Sequence, residues 1–156
     1  MSTCRAPCAV DADDATGAHL LHPDEEAPVF QPASAYSGFS VDDVDAAVAF
    51  YAGVLGIDVR VLVAGQMMQL LLPDSDVPVL VYGKPDHTPA TFTVLNFVVD
   101  DIDTALDDLA ALGVHPTDGG QWADERQVLR GRSRDMGPDI AWFADPAGNV
   151  FSVQQQ

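Results

Sequence analysis

Apolar positions along the chain fall into two matching helical stripes. Val44, Ala47, Val48, Tyr51 and Leu55 are spaced i, i+3, i+4, i+7 and i+11, one face of a 3.6-residue period. Ile102, Ala105, Leu106, Leu109 and Leu112 repeat that face. The two copies read GFSVDDVDAAVAFYAGVLGID and NFVVDDIDTALDDLAALGVH, and align with one residue fewer in the second. In each copy paired Asp residues stand where a helix needs an N-cap and a negative charge, at Asp42-Asp43 and Asp100-Asp101. Gly56 and Gly113 supply the left-handed stop. A strand-then-helix unit that occurs twice predicts two similar modules facing each other.

Alternating or short apolar runs predict strands at residues 36–41, 58–63, 66–72 and 77–82 in the first module. In the second they predict strands at 92–99, 114–117, 140–144 and 150–154, with a long loop over 118–138. The class is α+β, two tandem βαβββ modules at about 35–84 and 91–155 forming a curved mixed sheet. Residues 1–34 carry neither period and read as a flexible acidic tail before a domain at 35–156. On the starting strands Phe39 and Val41, and Leu95, Phe97 and Val99, form sets that pack under the helices. The opposite face carries Tyr36, Gly38 and Ser40, then Phe92, Val94, Asn96 and Val98. Such a mixture suits the lining of a ligand cavity or a sheet face buried in a dimer.

Charge narrows the partners. With 24 acidic against 7 basic side chains and a formal charge of -17, the surface repels nucleic acid and anionic lipid. No apolar run is long enough to span a bilayer or serve as a signal peptide, so a cytoplasmic protein is expected. Cys4 and Cys8 either join His19 and His22 around a metal or are incidental thiols. Arg126, Arg130, Arg132 and Arg134 gather in the long loop, as a lid for an anion or as partners of Asp124, Glu125 and Asp135. Trp122 and Trp142 flank that loop, and either Trp142 or Phe143 faces the cavity. His87 reads as a general acid or base at the cavity rim, or as a linker histidine fixing the crossover. Tyr36 polarises a ligand carbonyl or simply buries its ring. No sequence motif places a base beside Ser40 or Ser152.

The stretches VDDVDAAVAFYAGVLGI and VDDIDTALDDLAALGV, the segment KPDHTPATFTVLNF and the ending WFADPAGNVFSVQQ resemble the vicinal oxygen chelate superfamily. That group holds glyoxalases, bleomycin-resistance proteins and extradiol dioxygenases, and the resemblance covers residues 36–154. In the family's metalloenzymes it implies a ligand early on each starting strand and on each module's last strand. Here those positions hold Tyr36, Val94, Ser152 and the strand Val79-Leu80-Val81, a departure at all four, so neither metal nor cofactor is expected. The resemblance then implies a metal-independent small-molecule-binding protein, sequestering an antibiotic or secondary metabolite, in a homodimer. Its cup is expected to be lined by Tyr36, Gln69, Phe92, Asn96, Trp122, Arg130, Trp142 and Ser152. The alternatives are a metal-independent lyase or isomerase using His87 or Tyr36 for proton transfer, and an interaction module whose sheet face a partner fills.

Overall fold

A computed structural model describes residues 30–156 of the protein, so nearly all of the expected tail, with Cys4, Cys8, His19 and His22, lies outside the described residues. The first module runs β1 (Gly38–Val41), α1 (Val44–Val48) continued by a π-helical turn (Ala49–Val54), β2 (Asp58–Val63), β3 (Met67–Leu71) and β4 (Val79–Gly83). The second runs β5 (Thr93–Val98), α2 (Ile102–Ala111), β6 (Leu129–Arg130), β7 (Asp139–Ala144) and β8 (Val150–Gln155). Each module forms a four-stranded mixed sheet of the same order, β1-β4-β3-β2 and β5-β8-β7-β6. The starting strand pairs parallel with the last strand, and the other pairs are antiparallel. The α+β class and the two tandem modules are as the repeat predicts.

The helix ends follow from the residues that flank them. Asp43 Oδ1 accepts from the Ala46 N–H at 3.0 Å, and Asp101 Oδ1 accepts from the Thr104 N–H at 2.7 Å. Both Asp residues are extended N-caps. At the end of α2, Gly113 is left-handed (φ 78°), with Val114 N–H bonded to Leu109 O and Gly113 N–H to Ala110 O. The first copy carries one residue more between its cap and its glycine. It absorbs that residue as the π turn, where Leu55 N–H reaches back five residues to Phe50 O at 2.9 Å.

The helix-side faces share one core. Phe39, Tyr51, Phe50 and Phe151 make a chain of ring contacts with centroids 5.3–6.3 Å apart, carrying the packing from module one into module two. Phe151 then meets Phe97 edge-on and stacks on Phe143 at 5.3 Å. Phe143 is thus the core residue of β7, and Trp142 belongs to the opposite face.

Two expectations fail in the second module. Residues 114–117 form no strand, since Pro116 has no N–H to pair and Thr117 makes an isolated bond to the Trp142 carbonyl. The long loop instead supplies the edge strand β6, with a short 3₁₀ turn at Arg132–Arg134. Among the described residues no helix is long and apolar enough to cross a membrane.

Candidate functional site

The sheet faces turned away from the helices carry the polar and aromatic residues. On module one the rung Gly38, Leu80, Gln69 and Arg60 crosses all four strands, beside the rung Ser40, Tyr82, Met67 and Val63. Tyr36 and Gln69, with Leu62, Met67 and Leu80, line a hollow of about 400 Å³ on this face. Tyr36 is 69% exposed, so its ring is not buried. On module two the rung is Asn96, Ser152 and Trp142. Ser152 is wholly buried beneath its neighbours and donates its hydroxyl hydrogen to Asn96 Oδ1 at 2.6 Å. Its partner Asn96 is itself exposed, so the rung leads from a buried hydroxyl to an amide that a ligand can reach.

A second hollow, about 650 Å³, opens where the modules join. Phe92, Ser40, Tyr82 and Asn149 line it together with the linker from Thr88 to Thr91. The expected lining residues are therefore divided among three places. Tyr36 and Gln69 sit on sheet one, Asn96, Ser152 and Trp142 on sheet two, and Phe92 at the junction.

Arg130 and Trp122 do not join them. Arg130 holds both Asp103 carboxylate oxygens (2.7 and 2.8 Å) and Asp124 Oδ2 (2.7 Å), on the side of the sheet where α2 lies. Arg126 reaches Asp103 and Asp107 of the same helix. Of the acids next to these arginines in sequence, only Asp124 is a partner; the others are Asp103 and Asp107 of α2 and Asp139 at the start of β7, 3.7 Å from Arg130. The hydrogen bond from Arg130 holds the Asp103 carboxyl below the usual carboxylate range. At Asp124 partial burial pushes upward, but Arg130 and the N–H groups of Val128 and Arg126 win, so it too lies low. The loop is clamped to α2 rather than poised over a cup. Trp122 is 65% exposed in that loop, its carbonyl accepting from Arg134 at 3.5 Å.

A buried network joins the modules behind the junction hollow. Asp145 Oδ2 accepts from the Tyr51 hydroxyl and from Asn149 Nδ2, each at 3.1 Å, while Oδ1 takes the Asn149 N–H at 2.8 Å. Asn149 also donates to Ser40 O and accepts from Ala90 N. The DPAGN turn is thus a clasp holding module two to β1 and to the linker. Burial, followed by the Asp145 charge, pushes the Tyr51 phenol well above its ordinary value.

His87 sits beside this clasp. Its Nδ1 lies 2.9 Å from Ser40 Oγ and its Nε2 3.0 Å from the Ala147 carbonyl oxygen. The ring bridges β1 to the β7–β8 turn, and the structure does place a base beside Ser40, across 47 residues that no local motif spans.

The four positions at which the resemblance implies a metal do not fit one. Tyr36 is largely in solvent, Val94 and Leu80 present only hydrocarbon, and Ser152 spends its hydrogen on Asn96. Among the described residues no three His, Cys, Asp or Glu side chains gather as a ligand set.

The model of the Glyoxalase/Bleomycin resistance protein/Dioxygenase superfamily matches residues 34–153. The chain belongs to that superfamily. Solved structures share its fold at low identity. An antibiotic binding protein from Streptomyces sp. CB03234 is 24% identical, with a TM-score of 0.53 over 81% of this chain and 98% of the other. A bleomycin-binding protein complexed with bleomycin is 21% identical, with a TM-score of 0.55 over 79% and 98%. Lactoylglutathione lyase from Agrobacterium tumefaciens is 21% identical, with a TM-score of 0.53 over 80% and 95%. No curated protein sequence matches the chain.

Proposed function

We propose that this superfamily member is a metal-independent small-molecule-binding protein of the cytoplasm, sequestering an antibiotic or secondary metabolite. The observation that carries the reading is the Asn96–Ser152–Trp142 rung, a satisfied amide–hydroxyl pair beside an indole, with the Asn96 amide exposed. A flat ligand would lie on Trp142 and exchange hydrogen bonds with the Asn96 amide. Tyr36, Gln69 and Phe92 would provide the facing wall. Supporting this, structural neighbours include a bleomycin-binding protein and another antibiotic-binding protein.

The same faces argue for a homodimer. Tyr36, Phe92, Val98 and Tyr82 are exposed on or beside the sheet faces, and the hollow lined by Tyr36 and Gln69 includes none of Asn96, Ser152 and Trp142. A second chain that brings sheet one of one copy against sheet two of the other completes the cup twice, by symmetry.

Native mass spectrometry of the protein as purified tests both statements. The expected result is a mass of two chains plus a retained small molecule, lost when Trp142→Ala and Asn96→Ala are combined. Titration with bleomycin, followed by Trp142 emission in a Trp122→Phe chain, supplies a defined probe. A monomer that retains nothing and gives no response to bleomycin or to planar aromatic antibiotics would refute the reading.

A further inference from the structure

The hydrogen-bonding roles at His87 are fixed by chemistry. The Ala147 carbonyl oxygen only accepts, so Nε2 carries the hydrogen at that 3.0 Å contact. In the neutral ring Nδ1 is then a bare lone pair, and it takes the Ser40 hydroxyl hydrogen at 2.9 Å. The Ala147 carbonyl is itself held in place. Its turn is closed by Gly148 N–H to Asp145 O and by Asn149 N–H to Asp145 Oδ1. A hydroxyl beside a base, with the base oriented by a third group, is the arrangement that activates a serine. Ser40 also lines the 650 Å³ junction hollow, next to its strand partner Tyr82, and Phe92 lines the same hollow.

We propose that Ser40 and His87 form a nucleophile–base pair that takes acyl groups from small aryl or similarly activated esters held in the junction hollow. The aryl group would lie between Phe92 and Tyr82, and Thr88, Thr91 and Thr93 supply hydroxyls along the same wall. In the first step Ser40 Oγ bonds to the acyl carbon while its proton passes to His87 Nδ1. The ester C–O bond then breaks, and the departing oxygen takes that proton, leaving acyl-Ser40 and a free phenol or alcohol. Water releases the acid by the same path, its proton moving through Nδ1 back to Ser40 Oγ. The sum is ester plus water giving acid plus alcohol, with no further reactant. The Asn96–Ser152–Trp142 rung is not required, since neither residue belongs to it.

The test is labelling of the intact protein with an alkyl fluorophosphonate, whose fluoride leaves as the serine oxygen bonds to phosphorus, followed by peptide mapping. The expected result is a label on Ser40, none in Ser40→Ala, and labelling slowed about a hundredfold in His87→Gln. p-Nitrophenyl acetate should give matching release of p-nitrophenolate. Should His87→Gln fail to fold, Ser40 in the wild-type chain is compared with the exposed Ser37 and Ser133, which have no imidazole partner among the described residues. Absence of label, equal label on Ser37 or Ser133, or an unchanged rate in folded His87→Gln would overturn the proposal. Loss of bleomycin binding in a chain that still labels at Ser40 would count against the sequestration reading alone.

Discussion

Tyr51 donates its hydroxyl hydrogen to Asp145 across 94 residues of chain, at 3.1 Å and out of contact with water. This single bond ties the first helix to the turn between β7 and β8. Tyr51→Phe keeps the ring contacts with Phe39 and Phe50 and removes only that donor. It should cost about 1.5–3 kcal/mol, the range for a hydrogen bond to a charged group, read as a lower urea midpoint at unchanged slope.

The same bond sets an alkaline limit. The Tyr51 phenol is raised in the folded protein, by burial first and by Asp145 second. A raised folded value means that the stability it confers is complete below the unfolded value, about 10, and is lost as pH climbs above it. Spectrophotometric titration should show one of the three tyrosines ionising only as the fold is lost. Tyr51→Phe should remove that coupling between ionisation and unfolding.

Arg130 sets the acid limit. Asp103, through its Arg130 hydrogen bond, and Asp124 are both depressed. Their contribution is therefore present above the ordinary carboxylate value of about 3.9 and is lost as pH falls through their lower folded values. Arg130→Gln should cost about 1 kcal/mol at neutral pH, less in high salt, and flatten the acid side of the stability curve. Bleomycin titration should not change, because the guanidinium faces α2.

Asn96→Leu should strand the Ser152 hydroxyl, which is wholly buried and has Asn96 as its partner. The expected loss is about 1–3 kcal/mol, recovered in large part by adding Ser152→Ala. A double-mutant cycle on thermal melts reads the coupling directly.

Gly38→Val should push β1 away from β4. A Cβ at this position would stand 2.8 Å from the Leu80 carbonyl oxygen and 3.2 Å from the Leu80 Cβ, closer than packing allows. The cost should be about 1–3 kcal/mol, with amide exchange speeding up in residues 38–41 first.

What the sequence disclosed was local. Asp43 and Asp101 cap their helices because a short carboxylate before an apolar period has one natural acceptor role, readable without tertiary context. Strand edges at Asp58, Val63 and Ala144 followed equally from alternation. The misses were long-range. Arg130 chose Asp103, 27 residues away on α2, as well as nearby Asp124, because a helix face holds a bidentate carboxylate still while a loop neighbour such as Glu125 or Asp135 does not. The pairing of Ser40 with His87 needed the linker to fold back on β1, which no periodicity encodes. The two-residue β6 is too short to alternate at all.

The π turn at Ala49–Val54 has a consequence for the symmetry of the duplicated halves. In a regular helix one inserted residue rotates everything after it by about 100° and would misaim the following strand. Looping it into a wider turn confines the offset, so both copies begin on a capping aspartate and finish on a left-handed glycine. Only the middle of the first helix is out of phase with its twin. Tyr51 stands in register with Leu109, and its hydroxyl clasps the other half where Leu109 carries no polar group. The surplus residue and the tyrosine clasp together give the pseudo-twofold molecule a distinguishable left and right.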